Sequence, residues 1–203
     1  MGRVGTRLET LPSGAFDTSC HFCVFLDTVT YDSLYPALVR YGRGDAAMIL
    51  QKAFNPATIK IGLESEDKAE VLEELTDLLS KNYLQGQTFP REAVLEALWA
   101  REKKMSTGIY KGIAVPHATV EGIDTLRGVL GISKKGIDYE SLDGSPVYLV
   151  FLLVSPPGEA EQHLNALKKI ALLIQDPLFL ENVLEASTPQ KVYSIIQEFE
   201  ERL

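Results

Sequence analysis

The chain has 203 residues, of which 45% are hydrophobic, 24% charged and 8% aromatic, with 15 Gly and 10 Pro. These are globular values for one or two domains, and they exclude a disordered, collagen-like or coiled-coil chain. A net charge of −8 argues against a nucleic-acid binder, which needs clustered cations to displace counterions. The longest apolar run, Val147–Val154, falls well short of the roughly 20 residues that cross a bilayer, so no membrane insertion is expected.

Residues 1–47 show no sustained period, because Gly, Pro, Ser, Thr and Asp interrupt every apolar run, and they read as an irregular N-terminal extension. All 12 lysines follow residue 51, whereas four of the eight arginines precede residue 44. This segment does not read as a signal peptide, since its apolar stretch Phe22–Leu26 is short and ends at Asp27. Both cysteines of the chain, Cys20 and Cys23, lie here. They are too few for a disulfide scaffold, and with His21 they make only half of a zinc ligand set. Arg43-Gly-Asp45 is read as chance.

From Met48 the pattern changes. Ile59–Leu63 alternates as a short strand. Residues 65–84 read as a helix with Leu72, Leu75 and Leu79 at i, i+3 and i+7, started by Ser65 with Lys68. Pro90 opens a second helix with Val94, Ala97 and Leu98 on one face. A loop over Lys103–Gly112 leads to a strand at Ile113–Val115 that Pro116 ends. Leu126–Ser133 is another strand, and Val147–Val154 reads as a central strand buried on both faces. Residues 159–175 form an amphipathic helix with Leu164, Leu167, Ile170, Ala171 and Ile174 inward, followed by helices at 177–186 and 189–203, the latter capped by Ser187 or Thr188. Interspersed helices and strands give an α/β class, with helices on both faces of one sheet.

Three residues stand out for chemistry. His117 follows Pro116 at the C-terminal end of a strand, and His163 lies in the first turns of the helix after the central strand. Ligands of open α/β sheets bind at such strand ends, and the two histidines meet if their strands are near neighbours. A first helical turn also offers free N–H groups to an anion. Arg101 projects from the apolar face of its helix at i+7 from Val94 and i+3 from Leu98. It either snorkels at the helix end or meets an acceptor, for which a phosphate suits its planar fork. Ser106-Thr107-Gly108 places two hydroxyls and a flexible residue before the histidine strand. Taken singly, each residue has an ordinary structural reading. The Glu70, Glu73, Glu74 run reads as a solvated helix face. No carboxylate–histidine spacing accompanies His117 and His163, so no metal is expected.

The segment Arg101-Glu102-Lys-Lys-Met-Ser106-Thr107-Gly108-Ile109-Tyr-Lys-Gly112-Ile113-Ala-Val-Pro116-His117-Ala118, with Gln162-His163-Leu164-Asn-Ala-Leu167 downstream, resembles the signature of type-2 IIA domains of the bacterial phosphoenolpyruvate-dependent phosphotransferase system. These are the fructose/mannitol-type IIA domains and the nitrogen-regulatory IIA proteins. The resemblance covers residues 48–203 and implies a single α/β domain, a mixed β-sheet flanked by helices. It implies a phosphohistidine at His117, stabilisation of the phosphoryl group by Arg101, and His163 beside the active imidazole. Ser106, Thr107 and Gly108 would orient or bind the phosphoryl group. The family's loop has a second glycine where this chain has Tyr110, which is strained if that position needs positive φ.

The resemblance further implies an HPr-type phosphocarrier protein as donor, a IIB domain or a regulatory target protein as partner, no cofactor, and a cytoplasmic location. Two roles follow from it: phosphoryl transfer in sugar transport, or a nitrogen-type regulatory module that switches partners by its phosphorylation state. The family's start places residues 1–47 outside the domain, as an upstream extension. That extension carries a charge of −1 (4 basic, 5 acidic) and residues 48–203 carry −7 (16 basic, 23 acidic). An acidic domain suits docking to a basic rim on the carrier.

Overall fold

The apolar run at Val147–Val154 becomes the middle of a five-stranded sheet. The computed structural model describes residues 48–83 and 88–203. The expected extension 1–47, with Cys20, Cys23 and Arg43-Gly-Asp45, lies outside the described residues, as does the expected helix end at residue 84. The elements run α1 (Ile49–Ala53), β1 (Ile59–Ile61), α2 (Lys68–Lys81), α3 (Arg91–Glu102), β2 (Ile113–Ala114), β3 (His117–Thr119), β4 (Arg127–Ile137), β5 (Val147–Ser155), α4 (Ala160–Leu173), α5 (Pro177–Glu185) and α6 (Pro189–Glu200). None of the described helices is long and apolar enough to cross a membrane.

Strand order is β1-β4-β5-β2, with β3 also on β5. The sheet is mixed: β1 runs parallel to β4, β4 antiparallel to β5, and β2 and β3 parallel to β5. Side chains of β5 alternate between its faces. Val150, Leu152 and Val154 join Val71, Leu72 and Leu75 of α2 and Val94 and Leu98 of α3 in one core. On the other face Phe151 meets Phe54 edge-on, with ring centroids 6.1 Å apart, and α1, α4 and α6 complete that layer. Gly128 of β4 lets this layer close, because a Cβ there would stand 2.6 Å from the Phe54 ring. Glu200 of α6, its side chain fully buried, accepts from the backbone N–H groups of Leu50 (3.0 Å) and Gln51 (2.9 Å) and from Lys169 Nζ (3.0 Å). A carboxylate thus satisfies the otherwise open first turn of α1 and draws it onto α6.

Several boundaries differ from the sequence expectation. The cap of α2 is Asp67, which accepts from Glu70 N at 2.9 Å, and not Ser65, whose hydroxyl donates to Glu74. Glu74 is no solvated face residue. It accepts from Ser65 N at 3.0 Å and pairs with Lys60 Nζ at 2.6 Å. Burial pushes its carboxyl up, but Lys60 and the Ser65 donors outweigh that and hold it below its ordinary value. In α4 the inward residues are His163, Ala166, Leu167, Ile170 and Leu173, while Leu164 is 44% exposed. Leu164 stands about 100° from His163 around the helix, so burying the histidine turns the leucine outward. Thr188 caps α6, accepting from Lys191 N at 3.2 Å.

Pro116 interrupts the edge strand and does not end it. The pairs Ile113↔Leu149 and His117↔Leu153 keep one register on either side of it. The carbonyl of Pro116 still accepts from Leu153 N at 2.9 Å, and only the bond from its missing N–H is lost, which an edge strand tolerates.

Candidate active site

His117 is the first residue of β3, and its ring is fixed from two sides. Nδ1 lies 2.8 Å from the Val115 carbonyl oxygen. A carbonyl only accepts, so Nδ1 carries the proton and donates. Nε2 is therefore the unprotonated nitrogen, and Arg101 Nε donates to it at 3.2 Å. Burial, reinforced by the Arg101 and His163 charges, outweighs the Val115 bond and pushes His117 down to about 3. The imidazole is neutral at physiological pH and presents a lone pair beside a guanidinium.

Arg101 reaches this position from the last turn of α3. Its second anchor is the Met105 carbonyl, which accepts from a terminal guanidinium nitrogen at 2.8 Å. The helix end, the loop and the histidine are thereby linked through one side chain. His163 approaches from the first turn of α4, its ring centroid 5.6 Å from that of His117 and tilted by 59°. Its Nδ1 lies 2.8 Å from Ser155 Oγ at the end of β5, and burial pushes it down to about 4. The structure thus brings together His117, Arg101 and His163, whose positions in sequence span three separate elements.

The loop residues take more varied places. The Ser106 hydroxyl accepts from Gly108 N at 3.3 Å. The reading of Thr107 as a hydroxyl for the phosphoryl group needs correction: its side chain is buried, donates to Glu102 and lies 2.9 Å from the Tyr139 hydroxyl. It points into the core because Glu102, on the inward face of α3, also accepts from its backbone N–H at 3.0 Å. Gly108 packs against Tyr139 and Ser141, and a Cβ there would come within 2.7 Å of the Tyr139 ring. The expected strain at Tyr110 does not arise. Positive φ falls on Lys111 (57°) and Gly112 (73°), and Tyr110 is 36% exposed.

Glu102 escaped the sequence reading. Its side chain is only 2% exposed and lies 3.6 Å from Lys68 Nζ. Tyr139 donates its hydroxyl to it at 3.0 Å, and burial together with this carboxylate pushes the Tyr139 phenol well above its ordinary value. The signal was present: Glu102 stands at i+4 from Leu98 and i+8 from Val94, on the apolar face. A charge there, next to Arg101, marks a buried acceptor. Ser155 was signalled only as the polar residue that closes an eight-residue apolar run.

The family model described as "Phosphoenolpyruvate-dependent sugar phosphotransferase system, EIIA 2" matches residues 52–199. The fructose-specific EIIABC component of Bacillus subtilis is 38% identical over 141 residues, which are 70% of this chain and 22% of that relative. The chain thus spans only part of that longer protein. The nitrogen regulatory protein of Bradyrhizobium diazoefficiens is 35% identical over 141 residues, 70% of this chain and 90% of the relative. The crystal structure of nitrogen regulatory protein IIA-Ntr from Neisseria meningitidis superposes with a TM-score of 0.67 at 27% identity, covering 73% of this chain and 99% of the other.

Proposed function

The chain belongs to the EIIA 2 family of the phosphoenolpyruvate-dependent sugar phosphotransferase system, whose members are phosphotransfer components, and on that premise we propose that it accepts a phosphoryl group on His117 from the phosphohistidine of an HPr-type carrier. The observation that carries this reading is the ring of His117, with Nδ1–H held by Val115 and the Nε2 lone pair beside Arg101. Nε2 attacks the phosphorus. A new N–P bond forms as the donor's N–P bond breaks, and the donor imidazole, protonated on its other nitrogen, takes that bond's electron pair and leaves neutral, while the positive charge passes to the His117 ring. The proton stays on Nδ1 throughout, donated to the Val115 carbonyl. Arg101 first slides from Nε2 to the phosphoryl oxygens, because its N–H occupies the lone pair in the resting site.

Such a transfer passes through a loose transition state, so the protein's work is positioning and charge stabilisation. In this proposal Arg101 and an N–H of His163 supply the charge stabilisation. We assign Ser106 and Gly108 to orienting the phosphoryl group, while Thr107 acts through the loop, which it fixes to Glu102. The N–H groups and positive dipole end of α4 favour the anion further. The group then passes to a IIB domain. The proposed domain spans 48–203, supported by the family match from residue 52, and the proposed compartment is the cytoplasm, where such carriers work.

The nitrogen regulatory relatives support a second reading, in which phosphorylation of His117 switches a regulatory target protein by adding negative charge beside Arg101. Incubation with phosphoenolpyruvate, enzyme I and HPr tests both. The wild type takes up label and His117→Ala takes up none; a labelled His117→Ala protein overturns the assignment. Movement of the label onto an added IIB domain supports the transport role, and its retention supports the regulatory one.

A further inference from the structure

His163 has an anchor of its own. Ser155 pairs with Thr119 in the β3–β5 ladder, two residues beyond the His117↔Leu153 pair, so alternation puts His117, Leu153 and Ser155 on one face of the sheet. Ser155 is fully buried, and its Oγ stands 2.8 Å from His163 Nδ1. Among the described residues the hydroxyl has no second hydrogen-bond partner, and His163 Nε2 has none.

The direction of this bond follows from where each hydrogen can go. If Nδ1–H donated to Oγ, the serine hydrogen would be buried without an acceptor, and an unmade buried bond is costly. If the hydroxyl donates to Nδ1, its hydrogen is used and both oxygen and nitrogen are satisfied. A neutral imidazole that accepts at Nδ1 carries its proton at Nε2. That nitrogen belongs to the ring whose centroid lies 5.6 Å from that of His117.

We infer that Ser155 is a positioning residue that fixes His163 in the Nε2–H tautomer, so that His163 donates to an oxygen of the phosphoryl group on His117. The inference rests on phosphoryl acceptance by His117, and it adds the residue that decides what His163 can offer. With the opposite tautomer, Nε2 would turn a lone pair toward an anionic group and repel it.

The test reads the tautomer first. Long-range 1H–15N correlation of the histidine rings in the unphosphorylated wild type is expected to show His163 protonated at Nε2. Ser155→Ala is expected to shift His163 toward a mixture of tautomers and to slow phosphoryl acceptance about tenfold, less than the loss of a whole donor. Ser155→Thr, which keeps the hydroxyl, is expected to restore both. A wild-type His163 protonated at Nδ1 overturns the inference. So does a Ser155→Ala protein with an unchanged tautomer, or one with a changed tautomer and an unchanged rate. Because the tautomer is read without any phosphoryl donor, its outcome is separate from the labelling of His117→Ala: loss of the function assignment leaves the Ser155–His163 geometry measurable, and the reverse.

Discussion

Lowering the pH from 7 to 5 is a direct probe of how the fold holds His117. In the unfolded chain the imidazole has its ordinary value of 6.5, and in the fold burial takes it to about 3. Between these values the unfolded state binds a proton that the native state does not, so stability rises with pH across the window and falls on acidification. The contribution is complete above pH 6.5 and decreases toward pH 3. Over the two units from 7 to 5, an imidazole that ionises only when unfolded costs about 2 kcal/mol, and partial exposure of the ring reduces this to about 1–2 kcal/mol. Urea unfolding of the wild type and of His117→Gln at pH 7, 6 and 5 isolates the term, because the carboxylates and His163 are common to both. The wild type is expected to lose about 1–2 kcal/mol more than the variant between pH 7 and 5. Equal losses in the two proteins, or an NMR titration of His117 near 6.5 in the folded wild type, would refute the reasoning.

Two further predictions concern the residues around the ring. Arg101→Lys keeps the charge but loses the fork that reaches His117 Nε2 and the Met105 carbonyl together; phosphoryl acceptance in the carrier assay is expected to fall about 10- to 100-fold with the melting temperature little changed. Glu102→Ala strips the acceptor from Thr107 N, the Thr107 and Tyr139 hydroxyls and Lys68; chemical denaturation is expected to show a loss of about 3–5 kcal/mol, the cost of removing one partner from a buried charged cluster.

What was legible in the sequence was local or carried by the motif. Helix faces emerged from their period, as with Val94 and Leu98, and the continuous apolar run of β5 announced a strand covered on both sides. The meeting of His117 with His163 was readable only conditionally. It depends on the His117↔Leu153 pairing, a contact between segments 36 residues apart that no local pattern encodes. Polar residues were the hardest. Asp67 and Ser65 are both plausible caps, and only the tertiary pairing of Ser65 with Glu74 decides between them. The Thr107 hydroxyl looked like a ligand because of its neighbours in the motif, yet the buried Glu102 carboxylate turns it inward. Leu164 was placed inside by hydropathy, while the helix spends its inward position on His163.

The backbone of Ile113 and Val115 faces away from β5, toward the loop: Ile109 N donates to the Ile113 carbonyl at 2.9 Å, and Val115 N donates to the Thr107 carbonyl at 2.9 Å. The next acceptor along that open margin is the Val115 carbonyl, and it is taken by His117 Nδ1–H. The margin of the sheet is therefore sealed partly by the His117 imidazole, which occupies a spot that a foreign strand would need in order to add itself. An intruding amide hydrogen on the Val115 oxygen would compete with the ring for that acceptor and weaken the hold on the Nδ1 proton.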